Sequence, residues 1–214
     1  LALHHRRHYA LLEGTLRSSA GSDLTLPDFE CYITEEQVPH STALHTRSRI
    51  AGPYLVGPLA RFNLNFNQMA PAARVAAQAV GLLPVCANPF KSIVVRSLEV
   101  LHACQEALEI INTYDPAPSG ATTSAPLATT GFGCTEAPRG IWWHRYDLDP
   151  SGKVINARIV PPTAQNQKVI EADLRAFAET RGDLPLDQLK WQLEQVVRNH
   201  DPCISCSTHL IRLK

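Results

Sequence analysis

Asp201-Pro202-Cys203-Ile204-Ser205-Cys206-Ser207-Thr208-His209 concentrates more potential chemistry than any other segment of the chain. Two thiols stand three positions apart, with an acid before them and an imidazole after. Soft thiolates at this spacing can share one transition metal or bridge two. A single Cys-x-x-Cys supplies only two ligands, and a complete site needs more. Taken alone, the pair reads as half of a zinc site, a thiol–disulfide pair, or half of a larger metal centre. A redox pair owes its lowered thiol pKa to a helix N-terminus. The few residues after Cys206 leave no room for a substantial helix, which weakens the redox reading. Zinc would need His209, Cys134 or His200 to join. Chain ends fray unless tied down, and a metal would tie this one.

Working outward, the 214 residues predict a single domain over 1–214, long enough for a real core. Lys plus Arg is 20 and Asp plus Glu is 20, so net charge gives no case for nucleic acid. Six cysteines at irregular spacing, Cys31, Cys86, Cys104, Cys134, Cys203 and Cys206, fit a reducing compartment better than a disulfide framework. No apolar run reaches the ~20 residues that span a bilayer, so the chain is not expected to cross a membrane. The start, Leu1-Ala-Leu-His-His-Arg-Arg-His8, has no signal-peptide character and reads as mid-helix, which predicts a fragment or a processed product.

Residues 3–18 read as helical, with Leu3, Tyr9, Leu12 and Leu16 loosely on one side. Residues 24–40 read as irregular or short-stranded. Gly52-Pro53 and Gly57-Pro58 predict a shaped loop over 50–61. Pro71 opens a helix to Val80, and another runs from about Phe90 to Tyr114. In the latter, Ile93, Ser97, Val100, Cys104, Leu108 and Ile111 recur at helical spacing, and Cys104 reads as plain core. Residues 115–130 are a long loop. Gly140–Leu148 and Val154–Val160 form a hairpin about Asp149-Pro-Ser-Gly152, with helices over 166–179 and 185–199 after it. The fold class expected is mainly α with a small β hairpin.

Three further stretches carry chemistry. In Gly133-Cys-Thr-Glu-Ala-Pro-Arg-Gly140, the proline and glycine around Arg139 fix an arginine fork that suits an anion. The structural alternative pairs Arg139 with Glu136 in a tight turn. Cys134 reads as structural, His144 as half-buried, and Trp142 and Trp143 as packing residues. In Val160-Pro-Pro-Thr-Ala-Gln-Asn166, Thr163 reads as a helix N-cap, or else as a hydroxyl donating to a buried anion. Arg47, Arg49 and Arg61, in the stretch from His40 to Arg61, form either a basic patch or separate ion pairs. Gly131-Phe-Gly133 is weak grounds for a nucleotide site.

In this order, these stretches resemble the large subunit of a nickel–iron hydrogenase, in the cytoplasmic branch coupled to a nicotinamide or deazaflavin carrier. The motifs are Asp201-Pro202-Cys203-x-x-Cys206-x-x-His209, Glu136 to Gly140, Pro162-Thr163 with Asn166, and Gly57-Pro58-Leu59-Ala60-Arg61. The resemblance implies the C-terminal portion of that large-subunit fold. It implies a nickel–iron centre with carbonyl and cyanide ligands, with Cys203 a terminal nickel ligand and Cys206 a bridging one. Arg139 would lie over the metals, Thr163 would bond a cyanide, and Pro162 would shape the pocket. Asp201 would stand near Arg139, and His209 would help hold a magnesium or iron ion.

The activity implied is reversible heterolytic cleavage of dihydrogen in the cytoplasm. Implied partners are an iron–sulfur small subunit, diaphorase-type subunits with a flavin, and the N-terminal half of the large subunit, in the same gene product or a separate chain. The family's first Cys-x-x-Cys has no counterpart here. The family is usually trimmed after its terminal histidine, so residues 210–214 are expected to be a maturation tail for a dedicated protease, or the tail of an untrimmed member. The competing readings are a metal-free relative in a complex-I-like redox assembly, a zinc module and a dihydrogen sensor.

Overall fold

Gly140–Leu148 and Val154–Val160 form two strands at the predicted bounds. The computed structural model describes residues 1–21, 23–117, 119–121 and 128–203. Its order is β1 (Ala2–His4), β2 (Thr15–Arg17), β3 (Asp23–Leu24), α1 (Phe29–Tyr32), β4 (Ile33–Gln37), β5 (Leu44–Ser48), α2 (Pro58–Asn65), α3 (Pro71–Ala79), α4 (Ser92–Thr113), β6 (Thr130–Ala137), β7 (Gly140–Leu148), β8 (Val154–Val160), α5 (Pro162–Glu179) and α6 (Leu186–His200). The fold is predominantly helical with some strand. The strands form a β1-β2-β3 sheet, a β4-β5 hairpin and a β6-β7-β8 sheet, all antiparallel.

Several sequence expectations are corrected. Residues 3–18 are not helical. Leu3 pairs with Leu16 across β1 and β2, and both are buried. Between them, the carbonyl of Leu11 accepts from Glu136 N at 2.7 Å, a bond that a helix would have kept to itself. Leu12 stays 79% exposed, so the loose helical spacing never defined a buried face. The 50–61 loop ends early, because Pro58 occupies the first turn of α2, where its missing N–H costs nothing. The hairpin gains a third strand, β6, which takes in Gly131-Phe-Gly133 and pairs Glu136 with Ile141.

On α4 the buried face is Ser92, Val95, Leu98 and His102. The predicted stripe lies on another face, with Val100 64%, Leu108 62% and Ile111 69% exposed and Cys104 also exposed. Apolar residues encircle this helix, so period alone could not choose its inner side.

Two apolar clusters frame the site. One joins the β6-β7-β8 sheet to the amino-terminal segments through Leu3, Phe29, Val56, Cys134, Ile141 and Trp143. There Phe29 stacks on Trp143 at 4.8 Å between centroids, and Trp143 Nε1 donates to the carbonyl of Leu26 at 2.9 Å. Trp142, on the opposite face of the strand, is 40% exposed. The other cluster packs α2, α3 and α4 through Leu59, Phe62, Ala73, Ala77, Val95 and Leu98. The start of α5 wedges between strands β5 and β7.

Candidate functional site around Cys203

Asp201 ends α6 at φ 49° and ψ 51°, a left-handed conformation that few non-glycine residues adopt. Its N–H caps the helix on Arg198 O at 3.1 Å. Pro202 cannot continue the helix, so the chain turns away toward Cys203. The amide of Cys203 then donates to Thr163 Oγ1 at 3.2 Å, and Thr163 is 2% exposed. Thr163 is thus not the N-cap of α5. That position is Pro161, and Thr163 lies inside the first turn.

Arg139 holds the same turn from the other side. Its Nε donates to the carbonyl of Asp201 at 2.6 Å, and the Asp201 carboxylate lies 3.2 Å from Nε and 3.3 Å from Nη2. Nη1 has no partner among the described residues. Arg139 therefore does not pair with Glu136. That acid binds Arg61, the buried cation of α2.

Arg61 reaches Glu99 through Nε at 2.6 Å and Nη2 at 2.8 Å, and Glu136 through Nη1 at 2.8 Å. It also donates to the carbonyls of Ala137 and Pro138, both at 2.9 Å. One arginine thus holds the strand end that presents Arg139. Of the three arginines, Arg61 is a buried ion pair, Arg47 lies 3.8 Å from Glu36, and Arg49 is exposed, so no basic patch forms. Burial raises the Glu136 carboxyl above its usual range, and Arg61 opposes that only in part. A single cation serving two carboxylates leaves one of them undercompensated. Glu136, fully buried, bears that cost, while Glu99 keeps some contact with solvent.

A close backbone approach completes the frame. A Cβ on Gly57 would stand 2.5 Å from Arg139 O, and one on Gly140 would stand 2.3 Å from Val56 Cγ2. Both glycines have positive φ, 102° and 133°. Asn166 fastens the contact, accepting from Val56 N at 2.9 Å and donating to Val56 O at 3.3 Å and Arg139 O at 3.4 Å. Its neighbour Gln165 donates to Ile141 O at 2.8 Å. Five consecutive residues, Pro162 to Asn166, are therefore buried at the start of α5, with both amides bonded.

The structure brings Arg139, Pro162, Thr163, Asp201 and Cys203 to one place. Cys206 and His209, and the tail at 210–214, lie outside the described residues. Of the other zinc candidates, His200 bonds Asp173 at 3.0 Å, and Cys134 faces the core, where burial pushes its thiol pKa up. Sequence reasoning missed Arg96, which lies 3.8 Å from Asp201 and donates to Asn199 O at 3.4 Å. It also missed Gln165. Neither carries a sequence signal, since each works through a backbone carbonyl.

The described donors fit a thiolate-held metal centre in part. Cys203 supplies a thiol, the hydroxyl proton of buried Thr163 has no acceptor among the described residues, and Arg139 keeps a donor to spare. Among the described residues, no group of three ligands includes Cys203.

The overall fold that carries these residues is one found in solved hydrogenases. The chain superposes on a NAD+-reducing [NiFe]-hydrogenase in the H2-reduced state with TM-score 0.79, at 22% identity, covering 93% of this chain and 48% of that one. It superposes on a [NiFeSe] hydrogenase variant from Desulfovibrio vulgaris Hildenborough with TM-score 0.61, at 17% identity, covering 92% and 48%. In sequence it is 30% identical to sulfhydrogenase 1 subunit alpha of Pyrococcus furiosus, over 96% of this chain and 48% of that subunit. It is also 30% identical to the NAD-reducing hydrogenase HoxS subunit beta of Cupriavidus necator, over 76% and 35%. No family model matches. The chain thus has a hydrogenase large-subunit-like fold, and its sequence resembles these hydrogenase subunits over most of its own length. It spans half or less of the length of these curated relatives.

Proposed function

We propose that the chain is the C-terminal portion of a hydrogenase catalytic subunit, acting in reversible heterolytic cleavage of dihydrogen. The observation that carries this reading is the convergence of three distant segments on one short turn. Arg139 grips Asp201, and Thr163 receives the amide of the Cys203 beside it. Cys203 and Cys206 would hold a nickel–iron centre carrying carbonyl and cyanide, with thiolates from the missing half completing it. When bound, that centre supplies the Lewis acidity that polarises dihydrogen.

The residues of this chain do the positioning. Asp201 fixes the guanidinium, so that a permanent charge and a spare N–H stay aimed without side-chain reorganisation. Pro162 and the buried turn after it keep water from the inner side of the site. Thr163 offers a hydroxyl proton to an anionic ligand. Asp201 is shared between Arg139 and the more distant Arg96, so the pocket keeps a net positive charge. His209 would help hold a magnesium or iron ion.

The assembly proposed includes the N-terminal half of the subunit and an iron–sulfur small subunit. Electrons would pass to a nicotinamide or related carrier through diaphorase-type subunits with flavin. A cytoplasmic location fits this set. Among the described residues, no helix is long and apolar enough to cross a membrane. If residues 210–214 are a maturation tail, a dedicated protease would be a transient partner.

Infrared spectroscopy of the complex purified from its native source tests the reading. Carbonyl and cyanide stretching bands are expected. Their absence from metal-replete material would overturn it in favour of a metal-free relative or a zinc module. Bands together with fast nicotinamide-linked turnover would argue against a sensor.

A further inference from the structure

His45 lies on β5 with 1% of its surface exposed, yet neither ring nitrogen has a hydrogen-bond partner. Buried polar groups left this way are uncommon in folded proteins and ask for an explanation, of which a bound ion is one. The nearest acceptor, Glu171 Oε1 on α5, is 3.7 Å from Nε2, too far for a hydrogen bond. The same oxygen lies 2.7 Å from His40 Nε2, on the turn before β5. The two imidazoles meet edge to face, with centroids 5.8 Å apart. One ligand atom from each of the three residues lies within 4.8 Å of the other two.

We propose that His40, His45 and Glu171 form a binding site for a zinc-class divalent cation, separate from the Cys203 site. Two imidazoles and one carboxylate are a recognised zinc set, with a fourth position for water. Ligand atoms around tetrahedral zinc stand roughly 3.3 Å apart, given metal–ligand bonds of about 2.0–2.2 Å. The separations of 2.7 and 3.7 Å from the shared oxygen straddle that value.

His45 is fixed by burial, while His40 and Glu171, 65% and 43% exposed in their side chains, can adjust by rotamer. The absence of thiolate argues against copper(I), and two nitrogens argue against magnesium or calcium. Burial also lowers the His45 pKa, which keeps the imidazole neutral and able to ligate. The nearby ammonium of Lys168 is paired with Glu36 and does not compete for Glu171.

Such an ion would staple the β4-β5 hairpin to α5, about two turns from Thr163. The site rests on these three residues alone and holds whether or not the hydrogenase reading does.

The test is titration of the full chain, stripped by chelator, with cobalt(II) and zinc(II). Calorimetry counts the sites. Visible absorption separates cobalt bound by nitrogen and oxygen from cobalt bound by thiolate, which adds an intense charge-transfer band. One equivalent without that band is expected. His40→Ala at an exposed position and Glu171→Gln at a half-buried one should each weaken that equivalent tenfold or more while circular dichroism stays unchanged. Three results would overturn the proposal: no such equivalent in the parent chain, an equivalent untouched by either substitution, or an equivalent lost instead with His5→Ala, which would place it at the group of His5, His8 and Glu13.

Discussion

Arg139 and Asp201 hold each other through both backbone and side chain, and the two components can be separated. Lysine keeps the charge at 139 but has no planar fork, so it cannot serve Asp201 and a ligand together. Arg139→Lys should lower dihydrogen uptake on the order of a hundredfold, the scale seen when one fixed donor is removed from an active site. Nickel and iron content, measured by mass spectrometry, should stay unchanged. Uptake at the parent rate would reduce Arg139 to a turn residue. Asp201 differs because its backbone matters as well as its charge. Asparagine tolerates a left-handed φ where alanine does not. Asp201→Asn should therefore keep the turn and the Cys203–Thr163 bond, while Asp201→Ala adds roughly 1–2 kcal/mol of strain. Urea unfolding midpoints of the two variants would rank them, and equal midpoints would remove the turn from the explanation.

At the scale of elements, one buried cation joins α2, α4 and β6. Breaking such a group by removing one member costs about 3–5 kcal/mol, because the remaining charges stay buried. Arg61→Met should cost that much in chemical denaturation. The titration of Glu136 gives a second signature. Its folded pKa lies above its unfolded value because of burial. The folded state then holds the proton more tightly, so its contribution to stability is fully present below the unfolded pKa. That contribution is lost as pH rises through the folded pKa. The stability of the parent chain minus that of Glu136→Gln should shrink as pH rises from the ordinary carboxylate range. A difference that grows with pH would mean that Arg61 holds Glu136 ionised.

These same elements show what the sequence made legible. Strands β7 and β8 and helix α3 follow from local pattern, while the expectation that Arg139, Thr163 and Cys203 lie together comes from the family resemblance. Strands β1 and β2 follow from neither. Leu3 and Leu16 pair at long range, and a three-residue strand leaves no period to count. The partners of Arg61 were equally hidden, because Glu99 and Glu136 sit 38 and 75 positions away. Motif reading could mark Arg61 as notable, but the choice between Arg61 and Arg139 as partner of Glu136 needed the tertiary fold.

For the whole molecule, the informative feature is the two-sided apolar character of α4. α4 buries Val95, Leu98 and His102 against α2 and α3, yet Ile93, Val100, Leu108, Ile110 and Ile111 are each more than half exposed. A helix that is apolar on all sides belongs in the interior of something larger. This chain spans half or less of its relatives' length, and under the proposed function the occupant of that face is an N-terminal half of the subunit. Val100→Glu combined with Leu108→Glu tests this directly. Both positions are exposed, so the isolated chain should lose little stability, within about 0.5 kcal/mol. Two buried carboxylates would nonetheless be prohibitive in an assembled interface. Co-expressed with an N-terminal half, the doubly substituted chain should fail to co-purify with it, while the parent chain succeeds. Assembly at the parent yield would mean that this face stays in water, and the other half would have to dock elsewhere.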